Sequence, residues 1–525
     1  MDNKLNLLHL NQQVNEENCL RILRDNRSSD YGRKYAFESI NSADEFRQRV
    51  PLSDYASLQP YIERMMNGEE NVLTSYDVFA FCYTSGTTGG VKYIPETHEA
   101  FDRYKNYFEI YQDSVIERFG GRRLHLNAFR CPPFESVKKP FLLSEIYYRN
   151  MAESGCIDYD TYIGGRTLMF CEKPGDIFFA KAWAALISSD VTVLEANFLY
   201  DQLYFFHYLE KNYMTVLDSI RSGVIPPHIS LSEEIRRCLL SMEYDADRLD
   251  YVERECGKGF DNIALRLWSG LRLISGISNK AFFSEDKALK RYAPDVPRYY
   301  LCYASSECHI GHPVGEDDFG YILLPDNAFY EFLPYGSEDG DTLLPHELEV
   351  GERYEVICTT FSGLYRYCMG DVVEVRGFRG DYPIIEFAFR KNHMLNIAGE
   401  KMELAQIEEA VRALSDSGVR IEQYCFSVSV ERIPVRYLAV LSLGDTGQDA
   451  DRIAGALDAL LRQNNCDYDD LRELKSLDRL DVLILNSEDY ERFMMQTGLK
   501  AGHNKPKHIA SAGRIERSFY IWKET

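Results

Sequence analysis

Three short segments combine hydroxyl, glycine, aromatic and carboxylate residues at the ends of strand-like runs. In the first, the apolar run Val78–Tyr83 leads into Thr84-Ser85-Gly86-Thr87-Thr88-Gly89-Gly90. Hydroxyls and exposed backbone N–H groups on such a loop can surround phosphate oxygens, which predicts a phosphate-binding loop. The pattern is not G-x-x-x-x-G-K-[ST], because no GK[ST] follows and the next residues indicate a strand. A plain connecting loop is the alternative interpretation.

The second and third segments carry an aromatic residue and two carboxylates. In Tyr303-Ala304-Ser305-Ser306-Glu307, the ring could stack on a base and the carboxylate could hold a metal ion; the alternative is an exposed loop glutamate. In the third, Gly370-Asp371 precedes the strand-like run Val372–Val375. An aspartate in such a turn can accept hydrogen bonds from both hydroxyls of a ribose, although most Gly-Asp turns are only turns.

The elements that position these segments follow from hydrophobic periodicity. The first 75 residues predict helices broken at Asp30-Tyr31-Gly32 and at Val50-Pro51, and Thr97 is expected to cap a further helix. Helical stretches flank the strand-like run Val191–Leu194, which indicates strands covered by helices on both faces. Further strands are predicted at Leu271–Ile274, Tyr299–Tyr303, Tyr321–Leu324, Tyr354–Thr359 and Val372–Val375.

The pattern changes after Phe389. Helix, paired strands, helix and strand are predicted in turn at Leu404–Leu414, Cys425–Val430 and Tyr437–Leu443, Arg452–Arg462, and Val482–Leu485. The sequence therefore predicts an α/β fold with a large N-terminal domain over residues 1–389 and a small C-terminal α+β domain over residues 390–525.

Charge and composition exclude several classes of function. The 525 residues include 59 Lys and Arg against 82 Asp and Glu, a net charge of −23 that disfavours binding to nucleic acid or anionic lipid. No apolar stretch reaches the roughly 20 residues that span a bilayer, and no secretory signal pattern is visible. We expect a cytoplasmic enzyme without nucleic-acid or membrane partners.

Cysteine usage disfavours a disulfide framework. The 13 cysteines are scattered and no CxxC pair occurs, which also argues against a zinc knuckle. Cys308, His309 and His312 have no fourth ligand nearby, so a metal site there is not expected.

The motifs together indicate a family. YTSGTTGGVK, YASSE and GLYRYCMGDVV occur in the order and spacing of the adenylate-forming enzymes, and the chain resembles the auxin-responsive promoter family of acyl-acid amido synthetases. The resemblance extends over nearly the whole chain and includes VPLSDYASLQPYIERMMNGEENVL near residue 50, ISGIS at Ile274–Ser278, GYILLPDNAFYEFLP at Gly320–Pro334, FAFRKNHMLNIAGEKMEL at Phe387–Leu404, and NCDYDDLR near Asn465. It implies a large adenylate-forming domain followed by a small mobile lid domain.

The resemblance also implies roles for particular residues. It implies that ATP is bound by Thr84, Ser85, Gly86, Thr87, Thr88, Gly276, Tyr303, Ser305, Ser306, Asp371 and Arg390. Among these, Tyr303 is expected to stack on adenine, Asp371 to bind the ribose, and Gly276 to lie in a strand-end turn against adenine.

Three further residues are implied in catalysis. Glu307 is expected to hold Mg²⁺, and Lys401 and Lys505 are expected to face the α-phosphate and acyl group. The alternative for both lysines is a solvated surface charge. Arg390 with Lys391 is expected to form the hinge between the domains.

The implied activity is ATP-dependent activation of a carboxylic acid as acyl-AMP, followed by transfer of the acyl group to an amine, expected to be an amino acid. The alternatives are an acyl-coenzyme A ligase, which shares the first half-reaction, and a non-catalytic adenylate-binding or scaffold protein. Cys368-Met369 replaces an Arg-Leu pair common in the plant enzymes. The region Arg130–Asp160, expected to help form the acyl pocket, has no matching pattern, so the acid is open.

Overall fold

The computed structural model describes most of the chain. The described residues are 12–85, 91–129, 140–141, 143–171, 175–278, 289–335, 341–390, 394–397, 400–429, 432, 434–444, 446–497, 509–510, 513 and 515–524. The chain divides into two compact units, the first built mainly from residues up to Phe389 and the second mainly from Arg390 onward. None of the described helices combines the length and the apolar character needed to cross a membrane.

The helices and strands are numbered in chain order. The helices are α1 Gln12–Asp25, α2 Asp30–Lys34, α3 Ala43–Arg49, α4 Tyr55–Met66, α5 His98–Phe119, α6 Leu143–Glu153, α7 Gly165–Met169, α8 Ile177–Ile187, α9 Leu199–Ser222, α10 Glu233–Ser241, α11 Ala246–Cys256, α12 Ile263–Leu267, α13 Leu404–Asp416, α14 Ala450–Asn464, α15 Cys466–Glu473, α16 Ser487–Gln496 and α17 Glu516–Glu524. The strands are β1 Val78–Ser85, β2 Val91–Thr97, β3 Arg122–His125, β4 Val191–Phe198, β5 Leu273–Ile277, β6 Arg298–Tyr299, β7 Tyr303–Ala304, β8 His309–Pro313, β9 Tyr321–Leu323, β10 Ala328–Pro334, β11 Arg353–Thr360, β12 Tyr367–Arg379, β13 Tyr382–Arg390, β14 Met394–Leu395, β15 Met402–Glu403, β16 Ile421–Ser429, β17 Arg436–Leu443 and β18 Asp481–Leu485.

The first unit contains a parallel four-stranded sheet in the order β3-β4-β5-β6. The consecutive residues Val193 and Leu194 of β4 point to opposite faces and are both buried, so both faces of the sheet are covered. Phe108 and Tyr111 of α5 pack with Val193, and α9 packs against β4 and β5. This arrangement confirms the prediction of strands covered by helices.

The first unit also contains a seven-stranded sheet in the order β10-β11-β12-β13-β9-β8-β7. Helix α1 protects the edge strand β10, because Asn15 donates its Nδ2 hydrogen to the Tyr330 carbonyl oxygen (3.0 Å) and accepts from the Tyr330 amide (2.9 Å). Covering a strand edge in this way reduces its capacity to pair with another chain. Several strands of this sheet, including β8, β10 and β13, were not predicted from the sequence.

Two local predictions are wrong. The predicted strand Tyr299–Tyr303 is two strands, β6 and β7, which belong to different sheets because the chain turns at Leu301, where φ is +21°. Asp30-Tyr31-Gly32 does not break the helices but forms α2, and the break lies at residues 26–29. Glycine is required at position 32, because a Cβ there would overlap the Asn26 carbonyl oxygen.

The second unit contains a three-stranded sheet in the order β16-β17-β18, antiparallel and then parallel. Its core brings Leu438 and Val440 of β17 together with Phe493 of α16 and Phe519 of α17. The prediction of a small α+β part is therefore confirmed. The domain boundaries and the mobility of this part stay predictions.

A buried ion pair connects the N-terminal helices to the seven-stranded sheet. Arg366 Nη2 lies 2.8 Å from Glu331 Oε1, with side chains 5% and 1% exposed. The same guanidinium donates to the carbonyl oxygens of Arg47 and Val50. Arg366 has φ of +45°, a strained value for a residue with a Cβ, and its amide donates to Thr359 Oγ1 (2.9 Å). These bonds hold the chain in that conformation just before β12.

We expect R366M to lower the free energy of unfolding by about 3–5 kcal/mol, because the Glu331 carboxylate would stay buried without its bidentate partner. Urea unfolding followed by circular dichroism measures the change. The control is R353M, which breaks a 3.1 Å pair with Glu374 whose side chains are 50% and 39% exposed. That pair is expected to contribute about 0–1 kcal/mol. Equal losses in the two variants would contradict this account of the buried pair.

Candidate active site

The structure brings together two of the residues that the sequence assigned to a nucleotide site. The Tyr303 hydroxyl, on β7, donates to Asp371 Oδ2 on β12 at 3.0 Å. Both residues are buried, and Phe387 of β13 packs edge-on against the Tyr303 ring at 6.0 Å between centroids. An aromatic ring and a carboxylate are thus fixed side by side within the first unit.

Asp371 does not lie in a turn, as predicted, but within β12. Residues Met369, Gly370 and Asp371 lie opposite the single residue Val356 of β11, because the pairing shifts between Glu355–Val372 and Ile357–Cys368. Gly370 has φ of +78°, and its amide donates to Glu355 Oε1 (3.0 Å). Such a bulge reorients the side chain that follows it. The Gly-Asp pair was the sequence signal for this bulge.

The turn between β7 and β8 fixes the backbone around Glu307. Ser305 Oγ accepts from the amides of Glu307 (3.2 Å) and Cys308 (3.3 Å), and the Ser305 amide donates to the Cys308 carbonyl oxygen (2.9 Å). Glu307 is 5% exposed, so the alternative of an exposed loop glutamate is wrong. Ser306 lies in the same turn, and its carbonyl oxygen contacts the Cys82 sulfur at 3.7 Å.

A narrow cavity adjoins this turn, and all its lining residues belong to the first unit. Its walls include Glu307, Glu96 at the end of β2, Tyr147 of α6, His309 and Asn327. Burial raises the pKa of the Glu96 carboxyl to about 8, although hydrogen bonds from the Cys82 thiol (3.6 Å) and the Tyr147 hydroxyl (3.4 Å) oppose the rise. Burial lowers the pKa of the His309 imidazole to about 3. At neutral pH, Glu96 therefore holds its proton and His309 is uncharged.

Sequence reasoning missed this cavity. It considered His309 only as a metal ligand and did not consider Glu96, Tyr147 or Asn327. Within the described residues, no group of three or more His, Cys, Asp or Glu side chains could hold a metal ion. The only sequence signal for His309 was its position two residues after Glu307.

Gly276 lies inside β5 rather than in the predicted strand-end turn. A Cβ at this position would come within 2.8 Å of the Leu199 amide nitrogen and 2.9 Å of the Phe198 carbonyl carbon. The close approach of the backbone between β4 and α9 therefore excludes a side chain. This reason for glycine differs from the predicted collision with a base.

Several other predicted site residues lie at or beyond the limits of the described chain. Thr84 and Ser85 are the last residues of β1, and Arg390 is the last residue of β13. Gly86, Thr87, Thr88, Lys391 and Lys505 lie outside the described residues. Their assigned roles stay predictions.

Lys401 lies in the second unit, in a segment that its neighbours hold firmly. Its carbonyl oxygen accepts from Asn465 Nδ2 (3.0 Å), and Asn465 also caps α15 by accepting from the Tyr468 amide (2.8 Å). The preceding Glu400 is fully buried and accepts from the Tyr437 hydroxyl (2.8 Å). The motifs around Lys401 and Asn465, which are distant in sequence, thus form one hydrogen-bonded unit.

The sequence matches the GH3 family N-terminal domain over residues 6–298, the GH3 family central domain over residues 321–390 and the GH3 family C-terminal domain over residues 405–513. The indole-3-acetic acid-amido synthetase GH3.8 of Oryza sativa subsp. indica is 28% identical over 473 residues, which are 84% of this chain and 78% of that protein. The indole-3-acetic acid-amido synthetase GH3.3 of Arabidopsis thaliana is 26% identical over 447 residues, 79% of this chain and 74% of that protein.

Solved structures show the same fold. The AtGH3.15 acyl acid amido synthetase in complex with 2,4-DB superimposes with a TM-score of 0.66 at 20% identity, covering 97% of this chain and 93% of that one. A 2-hydroxyisobutyryl-CoA ligase in complex with 2-HIB-AMP and CoA gives a TM-score of 0.52 at 12% identity, covering 98% and 92%.

The fold is that of the adenylate-forming enzymes. Within this class, the chain belongs to the GH3 family, whose N-terminal domain alone matches more than half of it. The predicted activity is confirmed: the chain is an acyl-acid amido synthetase, a ligase that activates a carboxylic acid as an acyl-adenylate and forms an amide bond. The family favours an amine over coenzyme A as the acceptor.

We expect E96Q to change how stability depends on pH. The native Glu96 carboxyl has a pKa of about 8 and an unfolded carboxyl one near 4.5, so between these values the native state holds a proton that unfolding releases. Wild-type stability should therefore fall as pH rises through this window, by up to about 1.4 kcal/mol per pH unit from this group. Urea unfolding from pH 5 to 9 measures the slope, and identical pH dependence in the two proteins would contradict the assignment.

Proposed function

We propose that the nucleotide site is formed around the hydrogen-bonded pair Tyr303 and Asp371, with Glu307 at its phosphate end. The proposal rests on the hydrogen bond of 3.0 Å between the Tyr303 hydroxyl and Asp371 Oδ2. This bond fixes an aromatic ring next to a carboxylate that can accept hydrogen bonds from a ribose. An ionised aspartate can accept hydrogen bonds from both ribose hydroxyls. Gly276, Ser305 and Ser306 complete the adenosine side of the proposed site.

Glu307 fits a Mg²⁺ ion. It presents a single carboxylate from a turn whose backbone Ser305 fixes, and carboxylate oxygen is a ligand that Mg²⁺ accepts. Mg²⁺ characteristically takes one or two carboxylates from a protein and its other ligands from phosphates and water, so a lone carboxylate is sufficient. When bound, the ion supplies positive charge that offsets the negative charge on the phosphates.

The protein's own part in the reaction is positioning and electrostatic stabilisation. A carboxylate needs activation because it is a poor electrophile, and attack on the α-phosphorus of ATP gives acyl-AMP and pyrophosphate. The amine then attacks the acyl carbon and releases AMP. The loop residues Thr84, Ser85, Gly86, Thr87 and Thr88 are proposed to bind the phosphates, on the basis of the family resemblance.

Lys401 and Lys505 are proposed to supply positive charge at the α-phosphate and acyl group, again by resemblance. The proposed acceptor is an amino acid. Because adenylation and aminolysis need different groups around one acyl carbon, residues 390–525 are proposed to move as a lid about Arg390-Lys391.

The first test is pyrophosphate exchange. We expect exchange between ATP and labelled pyrophosphate that depends on the acid and on Mg²⁺ but needs neither an amino acid nor coenzyme A, because acyl-AMP forms reversibly before the acceptor reacts. Product mass with amino acids or coenzyme A added separately identifies the acceptor. A thioester as the sole product would indicate an acyl-coenzyme A ligase, and no exchange with any acid would indicate a non-catalytic adenylate-binding protein.

The second test replaces Asp371. D371N keeps the size of the side chain and removes its charge, so the KM for ATP in the exchange assay is expected to rise about 10- to 100-fold, the cost of one charged hydrogen-bond acceptor. The control is E374Q, because Glu374 lies on the same strand but is 39% exposed and pairs with Arg353. An unchanged KM in folded D371N would remove Asp371 from the site.

A further inference from the structure

Glu355 of β11 is a buried residue that contacts β12 on both sides of Asp371. It is 4% exposed, and its Oε1 accepts a hydrogen bond from the Gly370 amide at 3.0 Å. Its backbone is paired with Val372, the residue that follows Asp371. Asp371 therefore lies between the two residues of β12 that Glu355 contacts. The nucleotide chemistry proposed above gives Glu355 no role.

The bulge that contains Asp371 is not fixed by its own residues. Gly370 has φ of +78°, and glycine adopts positive and negative φ about equally readily, so the glycine permits the bulge but does not select it. The ladder is also interrupted here, because Met369, Gly370 and Asp371 lie opposite the single residue Val356. A backbone N–H group outside the regular pairing requires another acceptor. For Gly370 that acceptor is Glu355 Oε1.

The direction of the Asp371 carboxylate depends on this bulge. A bulge reorients the side chain that follows it, and Asp371 directly follows Gly370. In this orientation, Asp371 Oδ2 lies 3.0 Å from the Tyr303 hydroxyl. Because side chains alternate between the two faces of a strand, loss of the bulge would change the direction in which Asp371 points.

We propose that Glu355 is a positioning residue for the nucleotide: by holding the Gly370 amide, it keeps the Asp371 carboxylate directed at the ribose hydroxyls. The inference rests on the proposed function, in which Asp371 binds the ribose. It extends that function by naming the side chain that sets the affinity for the ribose. Glu355 acts through Asp371 and is assigned no contact with the nucleotide.

This role depends on the reach of the side chain rather than on its charge. A Gln side chain has the same length and presents a carbonyl oxygen that can accept from the Gly370 amide. An Asp side chain keeps the charge but is one methylene shorter, so its oxygens lie further from that amide. E355Q is therefore the conservative replacement, whereas E355D and E355A remove the hydrogen bond.

The first test measures the binding of AMP to the whole chain by calorimetry. We expect E355A and E355D to raise the Kd for AMP about 3- to 10-fold, because the hydrogen bonds to the ribose would be poorly aligned. E355Q should bind AMP within about twofold of the wild type. The matched control is E347A, which removes a carboxylate that accepts from the Leu344 amide (2.6 Å) at an exposed position, and its Kd should not change.

Deoxynucleotides separate a positioning role from a general loss of structure. The wild type should bind AMP more tightly than 2′-deoxy-AMP and 3′-deoxy-AMP, because each analogue lacks one hydroxyl that Asp371 would bind. In E355A and E355D this preference should fall towards onefold, whereas E355Q should keep it. A structural defect alone would weaken the binding of all three nucleotides by the same factor. An unchanged preference in E355A and E355D would therefore overturn the inference.

A double variant shows whether the two carboxylates act together. If Glu355 acts through Asp371, adding E355A to D371N should change the Kd for AMP by less than about twofold. Full multiplication of the two separate effects would overturn the inference. Circular dichroism and urea unfolding check that each variant is folded. If E355A does not fold, E355D and E355Q provide the same comparison.

The same series separates failure of the inference from failure of the proposed function. Weaker AMP binding in D371N, with unchanged binding in E355A and E355D, would overturn the positioning role and leave the ribose site at Asp371 intact. Unchanged binding in D371N, or no binding of AMP to the wild type, would instead overturn the ribose site itself and the inference with it.

Discussion

The buried pair of Arg366 and Glu331 is the constraint on which the site-bearing sheet depends. It joins β10 to the start of β12, and Arg366 also donates to the carbonyl oxygens of Arg47, in the last turn of α3, and of Val50, just after that helix. The neighbouring residue Cys368 continues this attachment, since its amide donates to the Ser53 carbonyl oxygen at 2.8 Å. A buried guanidinium without its carboxylate would be costly, so these segments adopt their positions together. Asp371 lies five residues after Arg366, so the contacts of Arg366 and Cys368 help to fix its position.

The candidate site residues Asp371 and Glu307 lie where the regular strand pairing of the sheet is interrupted. The three-residue bulge at Asp371 and the turn at Glu307 both interrupt ladders, and each is stabilised by a specific acceptor, Glu355 Oε1 in one case and Ser305 Oγ in the other. Regular strands alternate their side chains between faces and leave little freedom to aim them. Bulges and turns provide that freedom where binding groups must converge.

The electrostatic character of the site follows from burial. The carboxyl of Glu96 and the imidazole of His309 are both uncharged at neutral pH because water is excluded from them, so these two side chains offer hydrogen bonds without charge. Glu307, in the same lining, is the carboxylate for which a Mg²⁺ ion is proposed.

The sequence by itself determined the α/β character of the first unit, the α+β character of the second and the family, because hydrophobic periodicity and ordered motifs are local. Motif order also indicated Tyr303, Glu307 and Asp371 as candidate site residues, although not that Tyr303 would bond to Asp371 across 68 residues. Only the tertiary structure decided that Tyr299 and Tyr303 lie in different sheets, that Asp371 lies in a bulge, and that Glu96, Tyr147, His309 and Asn327 share a cavity. Strand partners and cavities depend on contacts between residues far apart in the chain, and local patterns carry no information about which distant segment will provide them.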